Sequence, residues 1–236
     1  LIPDSFKGTM SSREICGILK EQVQAVWPQA QVLSVPVADG GEGSVDAFLS
    51  ALGGERVKIR VKGPCFEEID SFYGILPDGT AVIEMAAAAG LPLVGERKNP
   101  EETTTYGVGQ LMADALERGC RKIILGLGGS ATNDGGTGML EAMGFRFMDN
   151  AGRAVNGCCG ERLRDIAGID ASEVPAELIG SSFTSACDVD TVFYGDNGAT
   201  KVFAPQKGAS DSDMEILENG MRSFASMIMR DYGIDL

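Results

Sequence analysis

Residues Gly126-Leu-Gly-Gly-Ser-Ala-Thr-Asn-Asp-Gly-Gly-Thr-Gly138 place glycine, hydroxyls and one carboxylate directly after the β-branched run Lys122-Ile-Ile-Leu125. A strand that empties into such a loop can hold an anion, because glycines bring consecutive backbone N–H groups close to phosphate oxygens with no Cβ in the way. The short apolar segment Met139-Leu-Glu-Ala-Met143 that follows predicts a helix whose N-terminal partial charge adds to the attraction. Asp134 beside phosphates would repel them unless a divalent cation or a proton intervened, so the loop points to Mg²⁺-nucleotide chemistry. A tight connection between strand and helix is the plainer alternative for this loop taken alone.

Other polar clusters sit where strands are expected to end: Asp4-Ser-Phe-Lys-Gly8, Asp39-Gly-Gly-Glu-Gly43, Cys187-Asp-Val-Asp190 and Pro205-Gln-Lys-Gly208. Asp39 to Gly43 and Asp134 to Gly138 share the pattern D-G-G-x-G. In open α/β sheets ligands bind beyond the carboxyl ends of strands, so such loops can converge on one cleft. Each cluster could also be a separate turn, since Gly, Asp, Asn and Pro dominate turns.

The elements that must position these residues alternate between strand and helix. Ser11-Ser-Arg-Glu14 has capping-box spacing, and Ile15, Ile18, Leu19, Val23 and Val26 recur on one helical face. Gln31 to Val37 reads as a strand, and a helix runs from the first D-G-G-x-G loop to Leu52. Arg56 to Val61 alternates like a strand, and Ile69 to Leu76 with Thr80 to Met85 forms a hairpin around Pro77-Asp-Gly79. A helix is expected from about Tyr106, strands at Phe145 to Met148 and Phe183 to Cys187, and an amphipathic helix from Ser210 to Asp231. The alternation predicts α/β layers, with Gly63-Pro64 as the boundary between two α/β domains, residues 1–63 and 64–236. Leu1 to Asp4 looks like the end of a strand whose beginning is missing, and the chain is expected to be an incomplete copy of a longer protein.

Composition removes several classes. With 236 residues, 44% apolar and 23% charged, the chain has the make-up of an ordinary globular protein. It lacks the run of about 20 apolar residues that a membrane helix needs. A formal charge of −14 repels nucleic acid and anionic lipid, so a bound anion must be held by local donors. The six cysteines lack C-x-x-C spacing and read as reduced cytoplasmic thiols. The absence of histidine leaves Asp, Glu, Lys or Tyr for proton transfer and removes Ser-His-Asp triads.

Taken in order, Pro3-Asp-Ser-Phe-Lys-Gly8, Pro36-Val-Ala-Asp-Gly-Gly-Glu-Gly43, Ile83-Glu-Met-Ala-Ala-Ala-Ala-Gly-Leu91, Thr104-Thr-Tyr-Gly-Val-Gly109, Gly126 to Gly138, Ala186-Cys-Asp-Val-Asp190 and Phe203-Ala-Pro-Gln-Lys-Gly-Ala209 resemble the bacterial two-domain glycerate kinases from end to end. The resemblance implies ATP-dependent phosphorylation of D-glycerate to a phosphoglycerate, with 2-phosphoglycerate favoured and the choice between the 2- and 3-hydroxyl left open by the sequence, and a flavodoxin-like domain, incomplete here, into which a second α/β domain is inserted. Members continue beyond Leu236 through a segment this sequence lacks.

Phosphoryl transfer asks the protein to neutralise charge, align donor and acceptor and exclude water. On the resemblance, Gly128, Gly129, Ser130, Thr132, Asn133 and Asp134 are expected to contact ATP. Lys7 and Lys207 supply point charges. Asp188 serves as Mg²⁺ ligand or as the base that takes the hydroxyl proton, with Asp39 and Asp134 as competitors and Asp190 as a second metal ligand. Ser5, Glu42 and Glu84 are expected at the substrate, although either glutamate could instead cap a helix. A homo-oligomer is the one macromolecular association anticipated. Two rival readings stand beside this one. Gly126-Leu-Gly-Gly-Ser-Ala131 fits the permissive dinucleotide fingerprint with Asp149 near the ribose-binding spacing, which would make a nicotinamide-dependent oxidoreductase. Against it, Asn133-Asp-Gly-Gly136 would interrupt the helix that must start there. The loops alone also allow a noncatalytic binding protein for a small hydroxy acid.

Overall fold

The computed structural model describes residues 1–6 and 9–236; Lys7 and Gly8 lie outside the described residues. Helix α1 (Ser12–Val26) begins at a capping box in which the Ser11 hydroxyl accepts the Glu14 N–H and the Glu14 carboxylate accepts the Ser11 N–H. Its expected apolar face is only partly used: Ile15 is buried, but Ile18, Leu19 and Val26 are exposed. The strand expected at Gln31 to Val37 is corrected. This segment is extended, yet it meets the chain start through two backbone bonds, Leu1 N–H to Leu33 O at 2.7 Å and Val35 N–H to Leu1 O at 2.9 Å. Two bonds to one residue make no ladder.

Helix α2 (Ser44–Leu52) leads into strand β1 (Glu55–Lys62), which forms an antiparallel hairpin with β2 (Glu68–Ile75) from Glu55 opposite Ile75 to Lys62 opposite Glu68. The boundary expected at Gly63-Pro64 falls in the turn of this hairpin, where the Gly63 N–H donates to the Glu67 carbonyl. Residues on both sides of it therefore share one sheet. The Pro77-Asp78-Gly79 turn, with Gly79 at φ +81°, returns the chain into β3 (Thr80–Glu84), buried along its whole length. After short helices α3 (Ala86–Ala89) and α4 (Leu91–Val94), helix α5 (Tyr106–Glu117) crosses over to β4 (Lys122–Gly126), parallel to β3.

Helix α6 (Thr137–Ala142) follows the second glycine loop and leads to a small antiparallel sheet, β5 (Arg146–Met148), β6 (Ala154–Val155) and β7 (Gly168–Asp170), in the order β6-β5-β7. Helix α7 (Ala176–Ile179) precedes β8 (Ser182–Ala186), which lies parallel to β4 and completes the main sheet in the order β1-β2-β3-β4-β8. Helix α8 (Ala199–Phe203), a 3-10 turn at Pro205–Lys207 and the long α9 (Asp211–Tyr232) close the chain. The architecture is mixed α/β.

Sequence periodicity explains where the core sits. In α5, Val108, Leu111, Met112, Ala115 and Leu116 recur every three and four residues, so one face of the helix is apolar. That face packs on Val57, Val61, Tyr73, Ile83 and Ile123 of the sheet. On the opposite face of the sheet, Val45 and Leu49 of α2 cover Leu76 and Val82. Met221 and Phe224 of α9 pack with Phe147 and Leu163 beneath the small sheet. Leu111 is 0% exposed at the centre of the first cluster. Its truncation, Leu111→Ala, is expected to lower unfolding free energy by about 2–5 kcal/mol in urea titration; a loss under about 1 kcal/mol would contradict this placement of the core.

Candidate functional site

Pairing in the parallel sheet sets Glu84, Gly126 and Ala186 side by side at the carboxyl ends of β3, β4 and β8. The segments that leave those ends therefore start from one edge. Onto this edge folds the Asp39-Gly40-Gly41 loop: the Gly128 N–H donates to the Gly40 carbonyl at 3.0 Å, and the Leu127 N–H donates to the Ala186 carbonyl at 3.1 Å. Only glycine allows this approach. A Cβ on Gly40 would lie 2.4 Å from the Ala186 oxygen, one on Gly126 2.3 Å from the Gly40 oxygen, and one on Gly128 2.8 Å from the Gly41 Cα. Gly40 also has φ +88°, a conformation that costs other residues free energy. Asp39 accepts the Gly41 N–H at 3.1 Å and so shapes its own turn.

The second glycine loop divides into an outer and an inner half. Gly128, Gly129 and Ser130 reach solvent, with Gly129 at φ +74°. Thr132, Asn133 and Asp134 are buried. Asp134, expected beside phosphate, is 2% exposed, and its carboxylate accepts the Thr105 N–H and hydroxyl at 2.8 Å each, the Gly136 N–H at 3.1 Å and the Gly138 N–H at 3.3 Å. It thus joins the start of α5 to the start of α6. Burial raises its pKa against the pull of these donors. Asn133 likewise turns inward, donating to Thr200 of α8 at 3.1 Å. The loop is pinned on its other sides by Ala131 N–H to Ala89 O, Leu91 N–H to Gly129 O and the Thr103 hydroxyl to Ala131 O.

Lys207 enters this assembly from the 3-10 turn after α8. It is 8% exposed, and its Nζ donates to the Thr132 carbonyl at 2.6 Å and the Ser130 hydroxyl at 3.0 Å. Desolvation lowers its pKa to about 8, against the opposing influence of Asp134. The amine is an internal strut of the loop as well as a cation next to it.

A cavity of about 510 Å³ lies beside this edge, within the usual size range of small-molecule sites. Ser5, Glu42 and Glu84 all line it. Glu84 also accepts the Val45 N–H at 3.1 Å, capping α2, and burial raises its pKa. Ala86 belongs to the wall of the cavity and stands 3.3 Å from where a Gly129 Cβ would be, so the cavity and the outer glycine loop flank one turn. Asp188 and Asp190 are exposed just beyond Ala186 and are absent from the cavity wall. Lys7 lies outside the described residues. Among the described residues no group of three or more Cys, Asp or Glu side chains could hold a metal.

Sequence reasoning missed the partners that hold the loop. The hydroxyl run Thr103-Thr104-Thr105 before α5 was the available signal. It also missed Arg13 and Arg56 in the cavity wall. The oxidoreductase reading loses its geometry: after Ala131 no helix begins until Thr137, and Asp149 shapes the β5–β6 turn by accepting the Ala151 and Arg153 N–H groups.

A family model described as the glycerate kinase family matches residues 1–236. Glycerate kinase from Bacillus subtilis is 43% identical over 235 residues, which is 99% of this chain and 61% of that protein. Glycerate 2-kinase from Escherichia coli is 42% identical over 238 residues, 100% of this chain and 62% of that protein. A crystal structure assigned to glycerate kinase 2 of Salmonella typhimurium LT2 superposes with a TM-score of 0.86 at 40% identity, covering 99% of this chain and 63% of that one. The chain therefore spans less than two thirds of the length of these relatives.

The Lys207 site has a pH signature. Folding takes the amine from its ordinary pKa of 10.5 to about 8, so between these values the unfolded chain binds more protons and the stability contributed here rises with pH. Comparing wild type with Lys207→Met by urea titration at pH 7.5 and pH 10, the difference is expected to shift toward wild type by on the order of 2 kcal/mol. A difference that stays flat across that window would contradict burial of a titrating amine.

Proposed function

This chain belongs to the glycerate kinase family, and we propose from that premise that the protein carrying it transfers the γ-phosphoryl group of ATP to the 2-hydroxyl of D-glycerate. The observation that carries the reading is the meeting of the two glycine loops over the registered strand ends, next to a cavity of the right size for a small polar acid. The 2-hydroxyl is chosen because a relative of 42% identity bears the name glycerate 2-kinase.

In this mechanism the solvent-reaching Gly128, Gly129 and Ser130 take the phosphates of ATP, and Thr132, Asn133, Asp134 and Lys207 keep that loop in shape from behind. Ser5, Glu42 and Glu84 face the acceptor in the cavity. The acceptor oxygen attacks the γ-phosphorus, the bond to the β,γ-bridging oxygen breaks, and ADP departs. Asp188 either takes the hydroxyl proton or supplies a carboxylate to Mg²⁺, with Asp39 and Asp190 as the other candidates and Lys7 as an added point charge. Two exposed carboxylates beyond β8 fit a cation held mainly by nucleotide phosphates, as Mg²⁺ commonly is. Bound there, Mg²⁺ would neutralise phosphate charge.

We assign the protein to the cytoplasm, in keeping with six free cysteines, four of them buried, and a soluble metabolite as substrate. No helix among the described residues is long and apolar enough to cross a membrane. The net charge of −14 argues against nucleic acid as a partner.

Phosphorus NMR of the reaction with MgATP and D-glycerate is expected to give 2-phosphoglycerate; 3-phosphoglycerate would overturn the choice of hydroxyl, and no phosphorylated product would overturn the kinase reading. Asp188→Asn is expected to cut turnover about a hundredfold or more while calorimetry still records MgATP binding. Near-normal turnover would remove Asp188 from the reaction.

A further inference from the structure

The cavity poses an electrostatic problem for an acidic substrate. Among the described residues its wall carries four carboxylates, Glu42, Asp46, Asp70 and Glu84, and two guanidinium groups, Arg13 and Arg56. Like charges within a few ångströms repel strongly where water is partly excluded, so a substrate carboxylate needs a dedicated cation. Arg56 is already committed: it pairs with Asp46 and lies 4.1 Å above the Phe72 ring.

Arg13 is different. Among the described residues it has no carboxylate partner, because its neighbour Glu14 turns back to the Ser11 N–H and hydroxyl at 2.8 Å each. It sits in the first turn of α1, where the helix dipole disfavours a cation and favours an anion. A bound anion would relieve the first effect and gain from the second. The base of this turn is held fast, since the buried Ser12 hydroxyl donates to the Pro3 carbonyl at 2.6 Å and accepts the Val37 N–H at 3.0 Å. Ser11, Ser12, Arg13 and Val37 all belong to the cavity wall.

We infer that Arg13 anchors the carboxylate of the acceptor and so sets the preference for a small hydroxy acid over its uncharged counterpart; this deepens the kinase reading and rests on it. A planar guanidinium binds a carboxylate through two parallel N–H donors, a geometry lysine cannot copy. The reacting hydroxyl lies toward Glu42 and Glu84, so Arg13 acts on binding and orientation.

The test compares D-glycerate with its neutral amide as acceptors, in wild type and in Arg13→Ala and Arg13→Lys, using the protein that carries this chain. Where the amide turns over too slowly, its inhibition constant replaces kcat/KM. Arg13→Ala is expected to lower kcat/KM for glycerate about ten- to a hundredfold, mainly through KM, and to leave the amide little changed, so that discrimination collapses. Arg13→Lys should fall between. Equal losses for both acceptors would mark Arg13 as structural and overturn the inference, as would unchanged discrimination. A wild type that phosphorylates neither compound would overturn the kinase reading and the inference with it.

Discussion

The site depends on one backbone contact, the approach of Gly40 and Gly41 to Gly126 and Gly128 at a separation that leaves no room for a Cβ. Helix α2 holds the C-terminal side of the Asp39 loop to the sheet through Val45 and Glu84, and the glycine contact sets the loop itself on the strand ends. With it, a segment far back in the chain is seated across the carboxyl ends of β4 and β8, tied there by the Gly128 N–H to Gly40 carbonyl bond. Everything assigned to chemistry is placed relative to that contact. The outer glycine loop lies on one side of the turn that contains Ala86, and the cavity lies on the other.

A chain with 34 acidic and 20 basic residues would have to bind the proposed anions against its own field, and local devices are what it offers for that. Buried polar groups around the second glycine loop are satisfied almost entirely by one another, Asp134 by the starts of α5 and α6 and Lys207 by Ser130 and Thr132. Such networks are costly to break at one member, because the partner is left buried and unpaired. Their rigidity gives the solvent-reaching half of the loop a fixed backbone, which phosphate recognition by N–H groups requires.

Much of this was legible in the residues. The capping-box spacing of Ser11-Ser-Arg-Glu14 marked the start of α1, and the Pro77-Asp-Gly79 turn marked the hairpin into β3. The ordered polar clusters pointed to the strand edge, since turn chemistry and strand ends are local signals. The partners of Asp134 were not legible, because Thr105 lies 29 residues away and no local pattern distinguishes a carboxylate on phosphate from one capping two helices. Gln31 to Val37 has strand composition, but among the described residues its backbone pairs with the Leu1 backbone alone, a matter of tertiary neighbours. Arg13 passed unnoticed because one exposed arginine on a helix carries no pattern; the cavity beside it supplies the meaning.

Hydrogen–deuterium exchange with and without MgATP tests the central claim most directly. If the glycine contact assembles a nucleotide site, protection should rise together in residues 126–131 and 38–43, and change little in the β5–β6 turn around Asp149. Protection confined to the Asp149 turn, or to one glycine loop with the other unaffected, would contradict the account.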